Sequence, residues 1–414
     1  MISYPDAIEY IKSSTTKLCT TKLTLTESIG HRAAETIYSN QQIPSFNNSA
    51  MDGFALNTIG LSNNSDRVFE VQSYIQAGCV NNIESYDILK ASEITTGSVV
   101  PDMYNTVIPV EDVQILEEDN GKPSKIKLNY AIAEDKNIRR KGEDFNKQDV
   151  LVEKSSVIKP KHIMAFAALG INQVLVYKKP KISVLSTGTE LVDFADGELE
   201  YGKIRNSNSP YLQSFLSGIG CNATYHGILE DNIDLFKDQL LTIIESDNTI
   251  DAIVTTGSVS MGRYDLIPDA ISQIGGTIIF HKTQIRPGKP ILFAKLPNNK
   301  LFFGLPGNPM SAAIGARFFI APWIRMAQNS LREQPIKAAL VEDIPIDNRF
   351  NYFKKAHVIY DGGHVKCRIS TGQESFKIKS FIDSNCWVVF PIAEKKQYLT
   401  GDLVDIYKSS GFND

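Results

Sequence analysis

Apolar runs and helical spacings alternate through the middle of the chain. Residues 182–185, 223–226, 252–254, 277–280, 291–293 and 301–303 read as short buried strands. Between and after them, 211–216, 233–244, 265–274 and 310–326 carry helical spacing, with Ser209-Pro210 and Asn308-Pro309 as helix starts. This alternation predicts an open α/β sheet with crossover helices, and such sheets bind ligands at the carboxyl ends of their strands. The flanks differ. Residues 68–113 form short β-rich runs broken by Gly78, Gly97 and Pro101, and 338–407 is almost helix-free, so each side reads as a small β domain. Two helical patterns, 5–14 and 161–169, lie on either side of the first β region. They are read as pairing in space, which makes that β region an insertion. Residues 119–125 are a charged hairpin-like loop, and 178–181, with Pro180, are a domain linker.

Length supports the division. A chain of 414 residues holds about two to four domains with ample apolar content for their cores. The expected boundaries are 1–45 with 139–178 as a discontinuous linking domain, 46–138 as the inserted β domain, 179–327 as the α/β domain and 328–414 as the C-terminal β domain. A formal net charge of -4, with no basic cluster longer than Arg139-Arg140-Lys141, argues against a general nucleic-acid binder. Cys19, Cys79, Cys221, Cys367 and Cys386 are scattered without CxxC or Cys/His spacing, which disfavours a disulfide framework and a zinc site and fits a reducing cytoplasm. Met1 to Lys12 lacks the pattern of an export signal, and no stretch approaches the length of apolar sequence that spans a membrane.

The candidate chemistry gathers at the predicted strand ends. Gly304-Leu305-Pro306-Gly307-Asn308-Pro309-Met310-Ser311-Ala312 is a rigid turn between a strand and a helix, and amides at a helix start attract anions. Glu190, Asp231 and Asp265 each sit in a strand-terminal loop. Converged on one edge they suit a divalent cation such as Mg²⁺; singly, each is as well read as a helix cap. Arg286-Pro287-Gly288-Lys289-Pro290 holds two cations on a stiff turn, Arg286 able to fork onto phosphate and Lys289 to act as a mobile point charge. Acids for metal beside cations for phosphate indicate nucleotide or phosphate-ester chemistry. No Walker A or GxGxxG pattern is present, and the histidines, including His31, His162, His226 and His281, show no nucleophile partner spacing. In the first half, the segments around Asp52-Gly53, Thr96-Gly97 and Gly142-Glu143-Asp144 put small or acidic residues beside glycine, and each alone reads as a turn.

Taken in order, SAMDGFA, ITTGSVVP, RRKGEDF, STGTEL, TTGSVSMGRYD, RPGKP and GLPGNPMSA resemble the molybdopterin molybdenumtransferases, the MoeA and gephyrin E-domain family. The resemblance spans nearly the whole chain, with Gly372-Gln373-Glu374-Ser375 its main match near the end. It implies an elongated subunit with a MogA-like open α/β domain, an inserted β domain, a helical linking domain and a C-terminal β-barrel-like domain. It also implies a reaction in which adenylylated molybdopterin and molybdate give molybdenum cofactor and AMP, with Mg²⁺ assisting. The partners implied are a second copy of the chain completing the active site, a molybdopterin adenylyltransferase and molybdoenzymes. Matched residue by residue, Asp52, Thr96, Asp144, Glu190, Asp231, Asp265, Arg286 and Lys289 fall on catalytic positions, with Glu190 and Asp265 on Mg²⁺ and Asp52 and Asp144 acting from the partner subunit. Thr187, Gly188, Ser207, Asn208, Gly257, Ser258, Ser260, Gly262, Pro306, Gly307, Asn308 and Pro309 fall on substrate-holding positions.

Several positions depart from the family pattern. Ser258 stands where a second glycine is usual, so a positive φ there would cost stability. Arg263 and Asn206 replace acids and make the site more positive, Arg286 replaces a lysine, and Met103 and Asn105 alter the loop after Pro101. These departures keep a non-catalytic pterin carrier in view, and the shared α/β domain keeps an adenylyltransferase in view.

Overall fold

The structure is a computed structural model describing residues 1–59, 68–79, 87–130, 134–259, 266–392 and 395–412. Its central sheet has six strands in the order Asn222–Leu229, Lys181–Thr187, Ala252–Thr256, Leu301–Leu305, Leu292–Lys295 and Thr277–His281. The first four run parallel, as the alternating pattern predicts, with Asn208–Gly218 and Ile233–Ser246 as crossover helices. The last two do not continue that repeat: Leu292–Lys295 is antiparallel to both Leu301–Leu305 and Thr277–His281. A parallel return needs about a dozen connecting residues. Here a 3-10 turn at Pro297–Asn299, with Asn298 and Asn299 at positive φ, reverses the chain directly.

Two other expectations shift. The single helix read over 310–326 is α-helical at Pro309–Gly315, π-helical at Ala316–Ile320 and α-helical again at Ala321–Ala327. The wide segment ends two residues before Pro322, which has no N–H to return to the preceding turn. The helical patterns flanking the first β region do not pair with each other. Tyr4–Ser14 places Ala7, Ile8 and Ile11 in the core around Phe318, Phe319 and Trp323, and the Tyr4 ring meets Phe319 and Phe353 edge-on at 5.4 Å. Pro160–Ala168 instead packs Phe166 into a separate core with Ala33, Ile37, Val152, Val174 and Val176.

Strands rather than those helices enclose the first β region. Thr20–Thr24 pairs with Gln173–Tyr177, Ile37–Tyr38 with Val150–Val152, and Asn48–Ser49 with Ile138–Arg139, all antiparallel and nested. Inside this ladder lies a six-stranded sheet in the order Thr106–Pro109, Gly53–Leu56, Lys90–Ile94, Val68–Ile75, Lys122–Leu128 and Val113–Asp119. At the other end, Asn351–Asp361, His364–Ile369, Ile336–Leu340, Leu403–Lys408 and Cys386–Phe390 pair one with the next, and the last pairs back with the first. That closes a five-stranded barrel around Leu340, Ala356, Cys367, Val388, Phe390 and Ile406. Ile285–Arg286 adds in parallel to Asn351–Tyr352 and so sews the α/β domain to the barrel. All five cysteines are free. Among the described residues no helix is long and apolar enough to cross a membrane.

Candidate functional site

Three parallel strands end together, because Ser186 is in register with Thr256 and Thr256 with Leu305. The loops that leave them build a cleft of about 640 Å³, with Thr187 and Gly188 on one wall, Gly257 and Ser258 on a second and Pro306 to Pro309 on a third. Buried polar groups fix its floor. The Ser186 hydroxyl lies 2.7 Å from Ser209 Oγ, 2.9 Å from Thr256 Oγ1 and 3.2 Å from Asn206 Oδ1. Asn206, only 2% exposed, accepts from the Ser209 amide and donates through Nδ2 to the Tyr225 hydroxyl at 2.9 Å. A carboxylate cannot make that donation, and buried here it would lose its hydration. The departure at Asn206 therefore belongs to the packing of the wall. Asn208 Nδ2 donates to Gly307 O at 2.7 Å, tying the crossover helix to the Gly-Pro turn.

Asp231 and Ser258 bridge two walls. The Ser258 hydroxyl donates to Asp231 Oδ1 at 2.6 Å, and the Thr189 amide approaches Asp231 Oδ2 at 3.4 Å. Ser258 has φ of 48°, the left-handed region that the family's usual glycine adopts freely. Its hydroxyl offsets part of that strain by holding the neighbouring loop. Accordingly Ser258→Gly, which loses the bond but relieves the backbone, is expected to leave stability within about 0.5 kcal/mol. Ser258→Ala loses the bond and keeps the strain, so it should cost about 1 kcal/mol or more in urea denaturation. Equal stabilities for the two variants would show that the positive φ carries no strain, and a Ser258→Ala protein as stable as wild type would show that the hydroxyl contributes nothing.

The helix start differs from its reading as an open anion site. The Met310 amide donates to Ser375 O at 2.9 Å, and the Ser311 and Ala312 amides both return to Asn308 O. Pro309 has no N–H, so the first turn of this helix is already satisfied. Among the described residues, only the Gly307 and Asn308 amides of the turn remain without an acceptor. The contact to Ser375 also brings in a wall that strand-end reasoning misses: Phe376 and Ile378, from the C-terminal barrel, line the same cleft. The match at Gly372-Gln373-Glu374-Ser375, followed directly by an aromatic residue, is the signal in the chain that points to it.

A second cleft, of about 810 Å³, adjoins the first through Phe376 and is lined by Arg286, Pro287, Tyr352, Lys354 and Ser375. Its cations flank one ring, Arg286 at 6.0 Å and Lys354 at 5.6 Å from the Tyr352 centroid. Burial, then the nearby Arg286 charge, pulls the Lys354 ammonium below its ordinary range. Two packed cations of this kind gain from an anion between them. Lys289 is exposed on the same turn and lines neither cleft.

Glu190 stands exposed at the first cleft, its carboxylate over the Gly188 backbone, where a Cβ would lie 2.7 Å from Oε2. Asp265, Ser260, Gly262 and Arg263 lie outside the described residues. Among the described residues no group of three or more His, Cys, Asp or Glu forms a metal-binding cluster. Asp52 and Thr96 do come together, the Thr96 amide and hydroxyl donating to Asp52 Oδ1 at 2.7 and 3.0 Å. They and Asp144 are exposed and line neither of the two clefts.

Comparison with known proteins agrees with this layout. Residues 2–170 match the family described as the MoeA N-terminal region (domain I and II), and 183–326 match a probable molybdopterin binding domain. Over 402 residues the chain is 31% identical to the molybdopterin molybdenumtransferase of Synechococcus elongatus, spanning 95% of this chain and 96% of that one. The chain belongs to the MoeA family. Another MoeA-family relative, the molybdopterin molybdenumtransferase of Bacillus subtilis, is 32% identical over 92% of this chain and 88% of its own. Two solved structures of the molybdopterin biosynthesis MoeA protein from Pyrococcus horikoshii superimpose with TM-scores of 0.83 and 0.79 at 25% and 26% identity. They cover 99% and 98% of this chain and 100% and 99% of theirs.

Proposed function

We propose that this MoeA-family chain is the transferase that inserts molybdenum into molybdopterin, taking adenylylated molybdopterin and molybdate and releasing AMP. The observation that carries the reading is the joining of a strand-end cleft of small and amide-rich loops to a cleft lined by Arg286 and Lys354. Such a surface suits a long, strongly anionic substrate. In this reading Thr187, Gly188, Ser207, Asn208, Gly257, Ser258, Pro306, Gly307, Asn308 and Pro309 hold the substrate, with Ser260 and Gly262 continuing the phosphate loop. Asp231 fixes the two loops it bridges, and Arg286 and Lys289 neutralise charge on molybdate or phosphate. Mg²⁺ typically takes one or two carboxylates and completes its shell with water and substrate oxygens. Glu190, which has no ion-pair partner among the described residues, fits one such ligand, and Asp265 is the other expected one. When bound, the ion would neutralise charge on the phosphoanhydride.

Asp52 and Asp144 act from a second copy of the chain, with Thr96 bonded to Asp52. The support is their isolation from both clefts within one subunit, together with the Asp52–Thr96 pairing at an exposed tip. A chain that sediments as a monomer at assay concentration while fully active would remove that role. Five free cysteines suit an enzyme of the reducing cytoplasm. Handing of substrate from an adenylyltransferase and of product to molybdoenzymes follows from the same reading.

The direct test is AMP release from adenylylated molybdopterin with Mg²⁺, with and without molybdate. Molybdate-dependent release is expected, and none under saturating molybdate sinks the reading. Binding without release would identify a carrier, and ATP consumption with metal-free molybdopterin would identify an adenylyltransferase. Full-length relatives named as molybdenumtransferases favour insertion over both. Arg286→Met should raise KM for molybdate roughly tenfold or more, the scale of one charge-assisted hydrogen bond. An unchanged KM would remove Arg286 from anion binding.

A further inference from the structure

The loop at 372–378 is held unusually firmly for a barrel surface. Lys355, 1% exposed, extends its ammonium to Gly372 O at 2.8 Å, Lys377 O at 3.2 Å and Ser380 Oγ at 2.6 Å. Gln373 accepts from the Lys355 amide and donates through Nε2 to Lys355 O at 2.9 Å and Ser370 O at 2.7 Å. From the other side, Ser375 O receives the Met310 amide. Between these anchors, Phe376 is 63% exposed and its neighbour Ile378 is 41% exposed. Among the described residues, Phe376 is the only aromatic one on the strand-end cleft, and it also lines the cationic cleft, so it stands at the junction of the two.

A buried ammonium, costly to desolvate, and a half-buried carboxamide thus hold a loop whose apex presents an apolar ring to water. Among the described residues, everything else around the strand-end cleft is small, polar or aliphatic. A substrate lying across both clefts must pass the Phe376 face. From this geometry we propose that Phe376 is a stacking platform for a planar heteroaromatic ring of the substrate, fixing the angle at which the anionic groups enter the Arg286 and Lys354 cleft. The proposal rests on the molybdopterin reading above and adds a specificity-determining contact to it. The shared chemistry is a flat, nitrogen-rich ring, which both the pterin and the adenine of the substrate supply.

The test uses the full chain and two separate probes, AMP and metal-free molybdopterin, bound to wild type, Phe376→Ala and Phe376→Tyr by equilibrium dialysis. Stacking on an aromatic side chain is lost on alanine substitution with roughly a five- to hundredfold weakening. Phe376→Ala is therefore expected to weaken one probe about tenfold while the other changes less than about twofold, which identifies the ring that stacks. Phe376→Tyr, which keeps the flat face, should restore binding. In turnover, the alanine variant should raise KM for adenylylated molybdopterin by the same factor with kcat nearly unchanged, a split that a merely structural role would not give. Wild type that binds and turns over while Phe376→Ala matches it for both probes overturns the platform alone. Wild type that binds neither probe overturns the molybdopterin reading and the platform together.

Discussion

Gly257→Ala is expected to abolish AMP release and to lower stability by about 2–5 kcal/mol, the sum of backbone strain and overpacking. A Cβ at Gly257 would lie 2.3 Å from Thr187 O and 2.7 Å from Thr187 Oγ1, well inside contact distance, and the residue sits at φ of +99°. The clash has no easy relief. Thr187 ends a strand whose partners are Asn222–Leu229 on one side and Ala252–Thr256 on the other, and the Gly257 amide is itself bound to Leu305 O. Moving either loop shifts the floor formed by Ser186, Thr256 and Asn206 and with it two walls of the cleft. Gly307→Ala serves as the control, since its Cβ would meet only Gly257 Cα, at an ordinary 3.8 Å. Urea denaturation and AMP release on both variants decide the matter. Because Gly307 itself lines the cleft, the control holds for stability, and a Gly257→Ala protein as stable as Gly307→Ala would mean that the strand ends do not meet this closely.

The approach of those strand ends is largely legible in the amino-acid sequence. Alternation of apolar runs and helical spacings puts Lys181–Thr187, Ala252–Thr256 and Leu301–Leu305 in one parallel sheet, and the strand-end rule then brings Thr187, Gly257 and Pro306 to one edge. Local periodicity carries that information because each element's burial repeats along its own length. It carries none about a contact made from far along the chain. The helix start at Asn308-Pro309 reads as open to anions because nothing nearby in sequence announces the Ser375 carbonyl that caps Met310. Phe376 is distant for the same reason: the match at Gly372 to Ser375 marks its loop, but only the barrel places the ring on the cleft. The two helices flanking the inserted sheet suggest a pair by symmetry of position, whereas the apolar stripe of Tyr4–Ser14 finds a larger core against Phe318 and Trp323. Side-chain couplings are equally silent. Asp52 and Thr96 stand out as separate turns in the sequence, and only the fold bonds one to the other. Ser258 is the opposite case, because a serine in a position that usually carries glycine raises the question of positive φ, and the backbone answers it at 48°.

The largest stability loss is expected away from both clefts, at Glu333→Ala, which should cost about 3–5 kcal/mol. Arg317 is 1% exposed, and its two terminal nitrogens meet the Glu333 carboxylate side by side at 2.9 and 2.7 Å, while Nε donates to Lys408 O at 2.9 Å. The guanidinium also lies 5.4 Å from the Phe318 ring centroid and 5.5 Å from that of Tyr407. Removing the carboxylate leaves a nearly buried charge that cannot neutralise and, among the described residues, keeps only the Lys408 carbonyl and the flanking rings, so the penalty is the desolvation of a guanidinium without its counter-charge. Replacing both partners, as in Arg317→Met with Glu333→Leu, removes the charge together with its counter-charge and is expected to recover most of the loss. A double-mutant cycle in urea should therefore show coupling well above about 1 kcal/mol, little affected by salt because the pair is shielded from solvent ions. Additive single losses, or a Glu333→Ala protein within about 1 kcal/mol of wild type, would sink this account. The consequence reaches the site. Arg317 lies in the π-helical segment of the helix that begins at the Gly-Pro turn, and Lys408 closes the barrel that carries Phe376 and Lys354. The pair thus joins the element that opens the strand-end cleft to the body that supplies its far wall. Loosening it should raise KM for adenylylated molybdopterin even where the variant remains folded at the assay temperature.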